Sequence, residues 1–216
     1  MDADAGLMPV QLRFETGLTG AEYVTGKAWC EARLLHCPLH PSGGCRFARH
    51  GAYARKTPPG TLIARWYCPQ GQRTFSLLPD HLAARFPGTL CEIEQVVATV
   101  EQAKSVEAAA DTLRRDAVTL TSAIRWVRRR LRLVRALLTI VVGLLPQSLL
   151  GCAPKISAVR ERWACPQVLV ALRERARAHL QALARPLGFR HPPYPAGEHP
   201  SGLQQHMGPD PPLSAA

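Results

Sequence analysis

The sequence predicts an α+β protein, mostly α-helical, in which a small β module precedes a helical domain. Proline- and glycine-rich turns separate short extended segments in residues 36–80, whereas apolar residues recur at helical spacing from Glu92 onward. The last stretch is rich in proline and poor in apolar residues, so we expect a disordered C-terminal tail. The predicted divisions are a poorly defined N-terminal segment (1–35), the β module (36–80), the helical domain (90–184) and the tail (185–216).

The β module is predicted to contain three strands. Residues 46–55 and 61–68 are extended candidates on either side of Lys56-Thr57-Pro58-Pro59-Gly60, a strong turn signal. Residues 73–77 form a plausible third strand, and Pro79, Pro87 and Gly88 mark a linker. In the N-terminal segment, Leu12, Phe14 and Leu18 suggest a strand, and residues 21–35 have some helical character.

The helical domain is predicted to open with helices at 92–103 and 105–114, the second capped by Ser105. A third helix begins near Thr121 and ends where Gly143 and Pro146 break it. A further helix fits residues 156–183 with an interruption at Pro166. The longest apolar run, residues 136–145, is about half of the roughly 20 residues that span a membrane, so we expect a buried helix and no transmembrane segment.

Composition narrows the class of partner and the compartment. The formal net charge is +11 and the isoelectric point is near 9.9, which favours a polyanionic partner, nucleic acid before an acidic membrane. The first ten residues carry Asp2 and Asp4 and do not resemble a secretory leader. Seven cysteines in such a chain predict a reducing cytoplasm, where clustered Cys and His are more often metal ligands than disulfides.

A set of soft-metal ligands lies in the β module. Cys37-x2-His40 has the spacing of a metal-binding turn, Cys45 follows a Gly43-Gly44 turn, and Cys68 lies 23 residues further on. The second turn offers one thiol, because Gly71 stands where another Cys would complete Cys-Pro-x-Cys. The sequence therefore predicts a structural zinc site, which would make the β module a zinc ribbon. Its predicted ligands are Cys37, His40, Cys45 and Cys68, with His36 in reserve.

Two alternatives to a structural zinc site stay open. The turns could be a decayed zinc knuckle in which Cys45 and Cys68 are small core residues. A catalytic zinc is disfavoured, because no Asp or Glu occurs between Cys37 and Leu78 to act as a general base. The aromatic residues of the module favour a small hairpin core over a base-stacking platform: Phe47, Tyr53, Trp66, Tyr67 and Phe75.

Residues 114–135 predict a basic amphipathic helix, with eight arginines against the single acid Asp116. At 100° per residue its apolar side chains fall in a stripe of about 80°, and an adjoining arc of about 120° is basic. That arc consists of Arg125, Arg128, Arg129, Arg132 and Arg135. Such a helix suits a DNA major groove and its phosphates. With the two helices before it, over about residues 92–138, it is expected to form a helix-turn-helix; a solvated helical hairpin is the alternative.

The segments Cys37–Cys45, Arg49–Arg55, Ile63–Pro69 and Arg73–Pro79 resemble the zinc-ribbon region of transposase-related proteins of bacterial insertion sequences. The resemblance covers roughly residues 36–135, and Arg-Thr-Phe-Ser-Leu-Leu-Pro is its most specific part. It implies a ribbon followed by a helix-turn-helix that recognises the ends of a mobile element. The sequence departs from the family at Gly71, where the paired second knuckle is broken.

The predicted function is therefore recognition of double-stranded DNA, with no catalytic residues and no strand-transfer chemistry. A transposase would need three metal-binding carboxylates, and the chain after residue 136 has only four acids: Glu161, Glu174, Glu198 and Asp210. A homodimer and a separate transposase subunit both remain open as partners. The alternative function is a helical scaffold or regulatory protein whose basic face docks an acidic protein. A zinc-dependent hydrolase ranks third.

Overall fold

A computed structural model describes residues 10–190, which form two compact units, residues 10–84 and residues 85–190. The predicted α+β class is confirmed. The elements of the first unit are β1 (Val10–Phe14), α1 (Gly20–Thr25), a 3-10 helix (Ala28–Cys30), β2 (Ala48–Ala54), β3 (Leu62–Cys68) and β4 (Arg73–Pro79).

One mixed sheet organises the first unit, with strand order β1-β4-β3-β2. The β2–β3 and β3–β4 pairs are antiparallel, as the two predicted turns require. Strand β1 pairs in parallel with β4, so that Leu12 lies opposite Leu77. The weakly patterned N-terminal segment thus supplies an edge strand of the sheet, while Leu18 lies beyond that strand.

Helix α1 packs its Tyr23 side chain into the first unit. Thr19 and Glu22 form a capping box at its start, in which each side chain accepts from the other residue's backbone N–H. Tyr23 is fully buried, and its hydroxyl donates to the Leu62 carbonyl oxygen at 2.9 Å. This bond ties the segment before the β module to the first residue of β3.

The predicted linker after β4 is not a solvated connection. Leu82, Ala83 and Ala84 are fully buried, and the Arg55 guanidinium donates to the Ala83 carbonyl at 2.8 Å. The linker prediction rested on Pro79, Pro87 and Gly88, but the apolar residues between them belong to the core of the first unit.

The second unit consists of helices and the segment that follows them. Their bounds are α2 (Leu90–Gln102), α3 (Val106–Leu113), α4 (Leu120–Leu144), α5 (Pro146–Leu149), α6 (Ile156–Trp163), α7 (Val168–Arg175) and a 3-10 helix (Arg177–His179). The first three agree closely with the predicted helices. The helix predicted over 156–183 is divided near the expected interruption at Pro166, because Ala164 adopts a left-handed conformation (φ 47°) and Pro166 has no N–H to continue the helix; its second part ends early, at Arg175.

Two carboxylates of α2 accept hydrogen bonds from backbone N–H groups at the N-termini of α6 and α7. Glu94 is almost fully buried; it accepts from the Leu169 backbone N–H at 2.8 Å and pairs with Arg160 at 2.8 Å. Glu101 accepts from the first two backbone N–H groups of α6. Since the first N–H groups of a helix have no partner within it, these carboxylates satisfy α6 and α7 and fix them against α2.

The second unit continues beyond the predicted end of the helical domain at residue 184. Leu187 and Phe189 are buried, and the Arg173 guanidinium, itself buried, donates to the Pro186 and Leu187 carbonyls. The predicted tail therefore contributes residues 185–190 to the packed unit, and its remainder lies outside the described residues. In the part of the chain that the structure describes, every helix is too short or too polar to cross a membrane.

Candidate metal centre and basic helix

The four predicted metal ligands come together in the first unit. The ligand atoms of Cys37, His40, Cys45 and Cys68 all lie within 4.8 Å of one another. All three cysteines are buried, and His40 is partly exposed. His36 is exposed and lies outside this cluster, so the structure does not favour the reserve ligand.

Three local segments position the ligands. The Cys37–His40 turn is closed by the His40 N–H donating to the Cys37 carbonyl at 3.1 Å, and the Gly43 N–H then donates to the His40 carbonyl at 2.9 Å. Cys45 follows two glycines with positive φ, a conformation that glycine adopts without strain. Cys68 is the last residue of β3, at the start of the turn into β4.

The two distances from the His40 ring to the thiols suit a tetrahedral metal. With Zn–S near 2.3 Å and Zn–N near 2.0–2.1 Å, a tetrahedron places sulfur and nitrogen about 3.6 Å apart. The His40 Nδ1 atom lies 3.6 Å from Cys37 Sγ and 3.4 Å from Cys68 Sγ. The ligand atom of the histidine would therefore be Nδ1. Three thiols and one imidazole also match the donor sets of closed structural zinc sites.

Gly71 has a role that its spacing alone does not reveal. Its backbone N–H donates to Cys68 Sγ at 3.3 Å, so the turn that lacks a second cysteine still contributes a donor to the thiol cluster. A Cβ atom at this position would lie 2.5 Å from Leu39 Cδ1 and 3.5 Å from Cys68 Sγ. The space that a fourth cysteine would need is thus partly taken by Leu39, and Cys45 lies with the other ligands instead.

The electrostatics of the cluster favour a thiolate at Cys37. Burial by itself raises the pKa of this thiol, but hydrogen bonds from His40, from the Leu39 backbone and from Cys68 outweigh burial and lower the pKa to about 7. The pKa of Cys45 is raised, first by burial and then by its hydrogen bonds to the other two thiols. Thiolate is the form that binds metal.

The cluster is continuous with the core on one face of the sheet. The buried Cys37, Cys45 and Cys68 side chains pack with Phe75, and Phe47 stacks on Trp66 with ring centroids 5.2 Å apart. Tyr53 and Tyr67 lie on the opposite face, where they contact Arg65 and His50 respectively. The predicted aromatic core of the hairpin therefore includes three of its five members.

Helix α4 displays the predicted basic arc. All five of its arginines, Arg125, Arg128, Arg129, Arg132 and Arg135, are exposed. The opposite side is buried through Val127, Leu131, Val134 and Leu138 of the predicted apolar stripe, while Ile124 is half-buried. Arg130, which belongs to neither group, is buried, with its guanidinium 4.0 Å from the centroid of the Trp126 ring.

The members of the arc differ in their local contacts. Arg128 forms an ion pair with Glu107 of α3 at 2.8 Å, and both side chains are at least half exposed. The guanidinium of Arg129 lies 5.0 Å from the centroid of the Phe86 ring. Arg132 and Arg135 lie with Ala136 and Thr139 on the open surface of α4. The arc is thus polar and open to solvent along its length.

The connections between the helices before α4 bear on the predicted helix-turn-helix. Three residues, 103–105, separate α2 from α3, and six residues, 114–119, separate α3 from α4. A helix-turn-helix uses a turn of about three to four residues before its recognition helix. Helix α4 packs against both α2 and α3, but the connection before it is longer than this pattern.

Comparison with known proteins gives no relative from which a role could be taken. No protein-family model matches the chain, and neither a curated protein nor a solved structure does.

Proposed function

We propose that this protein binds double-stranded DNA through α4, and that a structural zinc ion holds together the unit before it. The observation that carries the proposal is the row of five exposed arginines on one side of a helix whose other side is buried. Arg125 and Arg135 are ten residues apart, which is about 15 Å along the helix axis. A major groove about 12 Å wide admits a helix of about 10–12 Å diameter, so the arginines over this length could line the groove.

The zinc ion would be structural. The donor set is closed, with three thiolates and His40 Nδ1, and none of the ligand positions is left for a water molecule or substrate. Bound metal would link the turn at residues 37–45 to the end of β3. A metal–thiolate site also needs reduced cysteines, which supports a reducing compartment, such as the cytoplasm, for this protein.

The resemblance to insertion-sequence transposases gives the proposal its biological setting. Under it, α2, α3 and α4 act as a helix-turn-helix with an extended last turn, the first unit acts as a zinc ribbon, and the ends of a mobile element are the DNA target. In this setting the protein would recognise DNA, and a partner subunit would carry out strand transfer.

The decisive experiment removes the arc without disturbing the buried side of α4. We expect Arg125→Ala, Arg128→Ala and Arg129→Ala together to reduce duplex binding at least 100-fold, since charge-assisted contacts are worth about 1–3 kcal/mol each. Far-UV circular dichroism should be unchanged because all three side chains are exposed. The equal-charge control removes three exposed cations elsewhere, namely Arg33, Lys155 and Arg177.

The salt dependence of binding tests the same proposal independently. Neutralising phosphates releases counterions, so log K should fall linearly with log salt, and the triple variant should lose about 2–3 units of slope. If the triple variant and its control bind every duplex as the wild type does, the assignment of α4 is wrong. Replacement of the three arginines by lysine should preserve nonspecific affinity and lower only sequence discrimination.

The second candidate is a helical scaffold that docks an acidic protein. Apolar surface at the C-terminal end of α4 favours it: Ile140 is 48% exposed and Leu144 is 37% exposed, close to the basic arc. Protein interfaces place apolar anchors beside charged rims. This candidate predicts that Ile140→Ser weakens partner binding, whereas DNA binding through the arc should not respond to that change.

A further inference from the structure

The face of the sheet opposite the metal cluster carries planar side chains that the proposed function does not use. Arg65 and Tyr67 alternate along β3 and therefore share one face. The Arg65 guanidinium lies 5.6 Å from the centroid of the Tyr53 ring on β2, and the Tyr67 ring lies 5.6 Å from the His50 ring. The four form a row over β2 and β3, which we call the aromatic row.

The β2 backbone is shaped to place His50 in this row. The pairing of β2 with β3 is regular at Arg49 and again at Ala52, and it is irregular between them. Gly51 lies inside this irregularity with φ 79°, in the left-handed region that favours glycine. A bulge re-aims the side chains beside it. Here the His50 ring lies beside the Tyr67 ring, tilted by 42° from its plane.

The row is at least partly accessible to solvent. His50 is exposed, and Tyr53, Arg65 and Tyr67 are partly exposed, in contrast to Phe75 on the other face, which is 2% exposed.

The row belongs to a basic segment of the chain, which favours a polyanion, although Arg49 and Arg73 lie opposite Trp66 and Cys68 and therefore share the metal face. Residues 32–79 contain seven Lys and Arg and neither Asp nor Glu. The seven are Arg33, Arg46, Arg49, Arg55, Lys56, Arg65 and Arg73. An acidic protein would match this charge, but it has no bases to lie on the exposed rings. Rings and guanidinium groups on a basic sheet match unpaired bases on a phosphate backbone.

We propose that the aromatic row binds single-stranded DNA, with bases stacking on Tyr67, His50 and Tyr53 and with Arg65 reaching phosphate or a base edge. The choice of DNA rests on the proposed function, but the surface is separate from α4 and recognises a different form of the ligand. Duplex DNA keeps its bases stacked within the helix, so it would gain nothing from these rings.

The test compares two strands that differ only in their bases. Zinc-loaded full-length protein is titrated, with fluorescence anisotropy, into an oligothymidine of about 16 nucleotides and into an abasic strand of equal length. We expect tighter binding of the thymidine strand, and we expect Tyr67→Ala to weaken it about tenfold and remove the preference over the abasic strand. Tyr67→Phe should keep both, since it retains the ring.

Two further variants serve as controls, one for misfolding of Tyr67→Ala and one for DNA binding through α4. His50→Ala changes an exposed side chain, so it cannot fail by unfolding the sheet, and it should lower thymidine binding severalfold. The triple alanine variant of α4 should lose duplex binding yet keep its preference for thymidine over abasic strands. That outcome would separate the two surfaces, whereas loss of the preference in the α4 variant would overturn the aromatic row as a site.

Other results would overturn the proposal directly. Equal affinity for thymidine and abasic strands in the wild type would mean that phosphates alone are bound. Unchanged binding by both Tyr67→Ala and His50→Ala would remove the row from any contact with bases. Stronger binding of oligouridine than of oligothymidine would overturn the choice of DNA, because the two strands differ in the 2′-hydroxyl and the base methyl group.

Discussion

Replacing Cys68 with serine tests the structural metal most directly. Cys68 is fully buried at the end of β3, and its sulfur is 3.4 Å from His40 Nδ1 and accepts the Gly71 N–H. Serine has nearly the same shape, so the change removes a thiolate ligand while creating little empty volume. We expect Cys68→Ser to bind zinc much more weakly and to destabilise the first unit selectively.

The magnitude follows from the number of ligands. A structural zinc site contributes about 10–16 kcal/mol near neutral pH, so one ligand in four accounts for roughly 2.5–4 kcal/mol, or about a 70-fold or greater loss of affinity. A core of about 70–80 residues supplies only about 3–5 kcal/mol of net stability by itself. The loss is therefore large enough to unfold much of residues 10–84.

The assay measures metal content and folding together. Elemental analysis should give one zinc per wild-type chain and substantially less for Cys68→Ser after dialysis. The near-ultraviolet signal of Trp29 and Trp66, which lie in the first unit, should weaken, while the helical signal at 222 nm persists from the second unit. Cys30→Ser is the control, because Cys30 is an exposed thiol outside the cluster.

Wild-type zinc content and affinity in Cys68→Ser would refute the assignment of Cys68 as a ligand. Cys68 would then be a small core residue, as the alternative of a decayed knuckle holds. An absence of zinc in both the wild type and the variant, with both folded, would likewise rule out the structural metal.

Three further predictions concern pH, a buried carboxylate and the second turn. Zinc should be released as pH falls, because protons compete with the metal for the thiolates and the imidazole. A chromogenic chelator would detect the released zinc, and retention of zinc at pH 4 would argue against thiolate ligation. Glu94→Gln should lower the free energy of unfolding of the second unit by about 1–3 kcal/mol, since the change weakens the contacts to Leu169 and Arg160. Urea denaturation followed by Trp fluorescence measures this free energy, and an unchanged value would refute the prediction. Gly71→Ala should keep one zinc per chain, because its Cβ meets the exposed, flexible end of Leu39; loss of zinc would contradict this.

The ligand cluster could be predicted because its geometry is local. Cys37 and His40 belong to one tight turn, and Cys68 ends a strand whose hairpin partners are adjacent in sequence. Nothing in a spacing rule, however, identifies Nδ1 as the atom of His40 that faces the thiols. Nor does spacing show that the Gly71 N–H donates to Cys68 Sγ, since that depends on how the turn places its N–H groups.

The position of β1 could not be predicted for the opposite reason. Its pairing with β4 joins strands that are far apart in the chain. Parallel strands are not joined by a short turn, so no turn signal in the sequence indicates that they pair. Leu12 and Phe14 show the right alternation for a strand but do not identify the partner. The burial of Leu82 to Ala84 was missed similarly, because flanking prolines suggested a linker while tertiary packing decided the outcome.

The division of the aromatic residues follows from the metal ligands themselves. Successive side chains of a strand point to opposite faces, so Trp66 shares the face of Cys68 and Tyr67 does not. If Cys68 must face the metal, Trp66 is committed to the buried side, where it stacks on Phe47. Tyr67 then lies on the opposite face of the sheet, together with Arg65. The position of Cys68 therefore fixes the register that places Trp66 beside the thiol cluster and Tyr67 on the other face, and a shift of β3 by one residue would reverse both.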